Sequence, residues 1–330
     1  MGHRKHGQPR RGSLAYLPRG RAKSMEARIR AWPKSNSVEP KILAHCGFKA
    51  GCVQIVSIDD RSKTPNAGKQ LVSLGTVLVT PPVLVLGIRG YSKNYDGHHA
   101  EFDVYAEDVP KKIAKEIKIK SKPGALEKAE KSLKRIVEIF AIVAVSPRAA
   151  GLEQKKPYIF EAMVSGGDIP SQFEHVKEML GRELNINQIF ETGATVDVAA
   201  ITKGKGWQGV IQRYGAKKKQ HKSRKTVREL GSLGPISPQY VMYTVPRAGQ
   251  MGFHQRIEYD KRIMLMGNTD NDKIKINPDG GYKHFGEVRG DYIILKGSVP
   301  GTYKRLIKMR SQIRNAPAKI SKPNILEVVL

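Results

Sequence analysis

The chain has 330 residues, 58 Lys and Arg against 30 Asp and Glu, a formal net charge of +28 and 39% hydrophobic residues. That length allows one large or two modest domains with a real core, and the charge selects a polyanionic partner: nucleic acid, an anionic membrane surface or an acidic protein. A spanning helix is excluded, because the most apolar runs (77–88 and 136–145) are broken by Pro81-Pro82 and by Glu138 and fall short of roughly 20 residues.

Residues 1–34 hold ten Lys and Arg and one acid, Glu26. They show no sustained period and are punctuated by Gly and Pro, so residues 1–38 are predicted to be a basic tail, disordered until a polyanion orders it. The start lacks an apolar stretch of the secretory kind, and His6 stands where myristoylation requires Ser or Thr. Cys46 and Cys52 are too few for a disulfide framework, which places the chain in a reducing, cytosolic compartment.

From about residue 39 the pattern is β-branched runs between turn residues, predicting strands over 45–60, 71–79 and 83–91. Cys46 and Cys52 are expected as buried thiols there, since their spacing, with His45 nearby, matches no common zinc pattern. His98-His99 falls in a Gly- and Asp-flavoured surface loop. A helix is predicted over 123–134, a strand or buried segment over 135–145, a strand over 156–167, and a helix over 169–184. This last carries Pro170 near its start and Phe173, Val176, Met179 and Leu180 on one face. Further strands are expected at 194–202, 285–290 and 292–297. The fold class is therefore mostly β, with an α+β insertion (96–190) inside a discontinuous β domain formed by 39–95 and 190–330.

Residues 203–228 hold ten more Lys and Arg and no acid. Gly204, Gly206 and Gly209 make a formal dinucleotide-binding spacing, but Gly215 and the following lysines interrupt the helix that chemistry needs. The cations here are Lys203, Lys205, Arg213, Lys217, Lys218, Lys219, Lys222, Arg224, Lys225 and Arg228. Such cations can neutralise phosphates, while the rings of Trp207, Tyr214 and His221 can stack on exposed bases. The alternative for Trp207 is packing into a core. Together the two basic segments carry +19 of the +28, leaving a remainder of near-ordinary charge.

His254, Glu258 and Asp260 could suggest acid–base chemistry, but Arg256, Lys261 and Arg262 offer the carboxylates ion-pair partners on a charged strand. No P-loop, HExxH or nucleophile-elbow pattern occurs. No enzyme activity, cofactor, metal or small-molecule substrate is expected. An RNA-modifying enzyme with a basic substrate face would need a cofactor fingerprint or catalytic dyad. A free DNA- or chromatin-binding protein would need a helix-turn-helix, zinc-finger or heptad signature.

The runs TKGKGWQGVIQRYGAKKKQHKSRK (202–225), GSLGPISP (231–238), VPRAGQMGFHQRIEYDKRI (245–263) and GSVPGTYKRLIKMR (297–310) resemble the universal ribosomal protein L-three family. The opening GHRKHGQPRRGSLAYLPRGRA (2–22) is similar to the tail of its archaeal and eukaryotic branch, and the length and insertion suit an archaeal-type member. The resemblance implies a translation-protein-type β-barrel with long basic extensions: the tail, and a finger over 203–262 that reaches toward the peptidyl transferase centre. It implies a cytoplasmic ribosomal location, early assembly, and as partners 23S-type large-subunit rRNA and neighbouring proteins, ribosomal protein L-fourteen among them. The RNA-contacting set then also includes Arg4, Lys5, Arg10, Arg11, Arg19, Arg21 and Lys23 of the tail, and Arg247, His254 and Arg256. Many relatives carry Trp at the fingertip; Ile236 stands here, so tip contacts rest on shape. Trypsin is expected to cut 1–34 and most of 203–228 readily in the free protein and not in the ribosomal particle. Equal susceptibility in both states overturns the ordering of these segments by RNA.

Overall fold

The computed structural model describes residues 10–34, 37–117, 123–223, 225–271, 274–314 and 321–330. The strands β1 (Lys41–Ile42), β2 (Ala44–Ile58), β3 (Gln70–Val79), β4 (Val83–Asn94) and β5 (Gly97–Tyr105) come first. Helices α1 (Lys111–Ile117) and α2 (Ala125–Ser132) lead to β6 (Glu138–Val145), β7 (Tyr158–Ser165), α3 (Ile169–Met179) and β8 (Glu183–Leu184). Next are β9 (Thr195–Ile201), β10 (Trp207–Gln208), α4 (Val210–Tyr214) and β11 (Gly249–Gln250). The last strands are β12 (Gln255–Asn268), β13 (Asp291–Lys296), β14 (Leu306–Ser311) and β15 (Ile325–Val329). The chain divides into two units: Met1–Met25 with Ile201–Arg256, and Glu26–Ala200 with Ile257–Leu330.

The second unit is mostly β and holds two larger sheets. One runs β1-β7-β6-β4-β5, with β8 also on β4; the other runs β14-β9-β12-β13-β3-β2-β15, and β14 pairs with β2 as well. Pro81 and Pro82 separate the sheets, because a residue without an N–H cannot continue a ladder. Thus β3 pairs with β2 and β13, whereas β4 turns at Tyr95-Asp96 to pair with β5 and then with β6. The strand predicted at 83–91 therefore joins the sheet of the 96–190 stretch and not that of its predecessors.

β4 and β6 are buried on both faces, which is why they read as apolar runs. Val85, Ile88, Ile139 and Val143 pack with Phe173 and Val176 of α3. Leu84, Leu86, Ile142 and Ala144 form a second cluster, against Ile113 and Ile117 of α1. Burial of each Val, Leu, Ile or Phe side chain among these is worth about 1.5–3 kcal/mol. α3 ends at Met179, short of the predicted 184, because Leu180 is extended and Gly181 has φ +74°.

A bulge in β2, between Lys49 and Gly51, inverts the inward alternation. Cys46, Phe48 and Ala50 are buried before it, Val53 and Ile55 after it. Cys46 is accordingly buried, its thiol pushed up to about 12 by burial, whereas Cys52 is exposed, contrary to the expectation of two buried thiols. The bulge depends on Gly51, where a Cβ would lie 2.2 Å from Cδ1 of Tyr282.

Three segments differ from the sequence reading. The strand predicted at 285–290 is a loop, since Gly286 (φ +98°) and Gly290 (φ +78°) leave the extended region. His98 and His99 lie not in a loop but on β5, whose exposed polar face hid it. β14 was masked by its charges: Lys308 and Arg310 are both buried.

Arg310 donates to Asp197 Oδ2 from Nε at 3.2 Å and Nη2 at 3.0 Å, and both side chains are 2% exposed or less. Asp197 Oδ1 also accepts the Asp260 N–H at 3.1 Å, and Arg310 Nη1 donates to the Ala31 carbonyl. Lys308 sits 3.5 Å from Glu26 and over the Phe160 ring; burial holds its ammonium below the ordinary value. Removing one member of a buried pair strands the other charge, so Asp197→Ala is expected to cost about 3–5 kcal/mol in denaturant unfolding. Asp197→Leu combined with Arg310→Met should recover much of it. A single substitution costing under about 1 kcal/mol contradicts this role.

Candidate RNA-binding surface

The smaller unit contains nineteen Lys and Arg and one acid, Glu229. Its frame is built by backbone contacts between two short segments. Trp207 pairs with Gln250 and Gln208 with Gly249. Below them the Lys205 N–H donates to Met251 O, the Met251 N–H to Gly206 O and the Thr202 N–H to His254 O, each at 2.9 Å. Gly252 has φ +73°, and a Cβ there would lie 2.0 Å from the Lys203 carbonyl, so only glycine lets the segments approach.

Residues 10–25 join this frame through side chains. His254 is 8% exposed; its Nε2 accepts the Gly252 N–H at 3.0 Å, and its Nδ1 donates to Gly20 O at 2.8 Å. The Ala22 N–H donates to Phe253 O at 2.8 Å. Arg213 donates from Nε to Gln250 O (2.9 Å), from Nη1 to Arg247 O (3.0 Å) and from Nη2 to Arg19 O (3.3 Å). Arg19 returns a bond to Arg213 O at 2.7 Å and lies 4.2 Å from the centre of the Tyr214 ring. Arg10 reaches Thr244 O at 2.6 Å, and Arg256 stacks on Tyr16 at 4.6 Å. Residues 10–25 and the 201–256 segment thus belong to one unit.

The expected site residues consequently split. Arg11, Arg21, Lys23, Lys203, Lys205, Lys217, Lys218, Lys222, Lys225, Arg228 and Arg247 are exposed, as is His221. Trp207 is 77% exposed, against the alternative of core packing, and Ile236 is 91% exposed. Lys219 is half-buried, and the exposed Arg10 holds Thr244. Arg19, Arg213 and Arg256 are half-buried and bind backbone carbonyls or rings, while His254 is a buried clasp with both nitrogens engaged internally. Arg4, Lys5 and Arg224 lie outside the described residues.

Two features escaped the sequence reading. Val241, Met242 and Tyr243 are exposed, and no motif in the sequence marks them. Of the strand 252–263, only Lys261 keeps a local carboxylate, Glu258, at 2.6 Å; Arg262 pairs with the distant Asp60. The formal glycine spacing leads into α4, which ends after five residues at Gly215 (φ +67°). Among the described residues no group of His, Cys, Asp and Glu has metal-ligating geometry, and no helix is long and apolar enough to cross a membrane.

Burial, reinforced by the cations of Arg256, Arg213 and Arg19, holds the His254 imidazole below its ordinary value. A proton on Nε2 would also abolish the bond from Gly252 N–H. The unfolded chain takes up this proton near the ordinary value of about 6.5, before the folded one does. The clasp is therefore fully stabilising above that pH and weakens as pH falls through it. Amide exchange at Ala22 and Gly252 should accelerate on going from pH 7.5 to pH 5.5 after correction for intrinsic rates, and His254→Phe should lose that dependence. Equal protection at both pH values refutes the clasp.

The family described as Ribosomal protein L3 matches residues 1–329. The large ribosomal subunit protein uL3 of Methanococcus vannielii is 39% identical, over 98% of this chain and 97% of its own length. That of Methanopyrus kandleri is 40% identical, over 96% and 89%, and that of Methanothermobacter thermautotrophicus 37%, over 97% and 96%. A family match over residues 1–329, with relatives 37–40% identical over nearly the whole chain, makes this chain a member of the ribosomal protein L3 family.

Proposed function

We propose that this chain is a structural constituent of the large ribosomal subunit, without enzymatic activity, that binds 23S-type rRNA through its smaller unit. The carrying observation is the unit's composition and build: nineteen cations against one acid, on a backbone frame tied by Arg213 and His254. Exposed lysines on such a frame meet phosphates at defined positions and fix orientation rather than read sequence. Its place is the cytoplasmic ribosome, among neighbouring large-subunit proteins, with ribosomal protein L-fourteen the expected contact. Early assembly and the surroundings of the peptidyl transferase centre follow from the same family reading. The exposed cations among the sequence-derived residues form the RNA interface, with Ile236 at the tip of the 203–262 finger.

The larger sheet is proposed to close as the translation-type barrel. Support comes from β14 pairing with both β9 and β2, which completes a cycle β2-β3-β13-β12-β9-β14. The insertion is then better bounded by Val83 and Leu184 than by 96 and 190, because β4 to β8 pair among themselves.

Replacing Lys217, Lys218 and Lys219 by Ala is expected to reduce the salt slope of rRNA binding by about 0.7–0.9 per lost phosphate contact. An unchanged slope removes these lysines from the interface. The endogenous protein should co-sediment with the large particle; its absence there defeats the functional reading.

A further inference from the structure

The smaller unit contains a concavity of about 550 Å³ that no side chain among its described residues fills. Apolar Leu17, Val241 and Met242, the rings of Tyr214 and Tyr243, and the guanidinium of Arg247 line it. That volume falls within the roughly 300–1,000 Å³ typical of small-ligand pockets. Tyr243 is 79% exposed, Val241 45% and Met242 42%, an unusual display for apolar groups in the most charged part of the chain. By contrast, Tyr214 already carries the Arg19 guanidinium at 4.2 Å and that of Arg213 at 5.2 Å.

We infer that this pocket captures a single unstacked nucleotide of RNA, its base against Tyr243 and its phosphate toward Arg247. The inference rests on the RNA-binding function proposed above and adds a recognition mode to it. A base is planar and apolar on its faces, matching the aromatic and aliphatic lining, and its phosphate carries the charge that the guanidiniums complement. An apolar protein side chain matches the lining alone. Its flanking chain would have to be acidic to settle among nineteen cations. Single-stranded RNA is recognised in this way, by aromatic stacking of splayed bases combined with cations on the backbone.

The test compares the full chain with its Tyr243→Ala and Tyr243→Phe variants, on single-stranded oligouridylate and on a fully paired RNA duplex. Tyr243→Ala should weaken single-strand binding roughly 5- to 100-fold, as loss of one base stack does. The salt slope should stay unchanged, because no phosphate contact is lost. Duplex binding should not change, since paired bases cannot enter, and Tyr243→Phe should bind normally. Unaltered single-strand affinity in Tyr243→Ala overturns the pocket, as does a loss that falls equally on the duplex or that lowers the salt slope. If the lysine triple variant still lowers the slope, RNA binding by the unit survives that failure. If neither variant has any effect, both readings fall. Ultraviolet crosslinking in the intact particle gives an independent readout: a nucleotide on residues 241–247 supports capture, and a protein crosslink there refutes it.

Discussion

Cations gathered in one small unit repel one another, and with Glu229 as the unit's single acid, carboxylates cannot supply the balance. Backbone carbonyl oxygens supply it instead. Arg213 spans the carbonyls of Gln250 and Arg247 in one stretch of chain and of Arg19 in another, and Arg19 answers with a bond to Arg213 O. Hydrogen bonds to a charged group contribute about 1.5–3 kcal/mol each, and a rigid guanidinium fork loses less freedom in making them than a lysine would. His254 fits the same constraint from the other side. It joins Gly252 to Gly20 while neutral, and the surrounding arginines oppose its acquiring a charge.

The larger unit solves a different problem. Its 39 Lys and Arg stand among 29 Asp and Glu, so carboxylates are at hand, and apolar burial and hydrogen-bonded strands hold it, with one buried ion pair setting alignment. Arg310 on β14 and Asp197 on β9 lie directly opposite in the ladder, and Asp197 also takes the Asp260 N–H of β12. Three neighbouring strands are thereby indexed to one carboxylate.

What could be read without coordinates tracks how locally each property arises. The apolar runs 71–79, 135–145 and 156–167 are strands, because burial on one or both faces is written into consecutive residues. β14 does not read as a strand, since Lys308 and Arg310 signal solvent until Phe160, Glu26 and Asp197 are brought beside them. The exposure of Cys52 turns on one extra residue in the register of β2 with β3, which no periodicity within β2 reveals. Likewise Pro81-Pro82 reads as a break, but not as the point where the chain changes sheets.

The amino-acid sequence alone determined that this protein segregates its positive charge and requires a polyanion, because ionisation near neutral pH belongs to the residue type and needs no fold. Tertiary structure decided which cations remain for that partner. Arg10 finds its carbonyl at Thr244 and Arg19 at Arg213, 234 and 194 residues away. Whether a guanidinium faces a backbone oxygen or solvent is settled by such distant approaches, and local sequence carries no record of them.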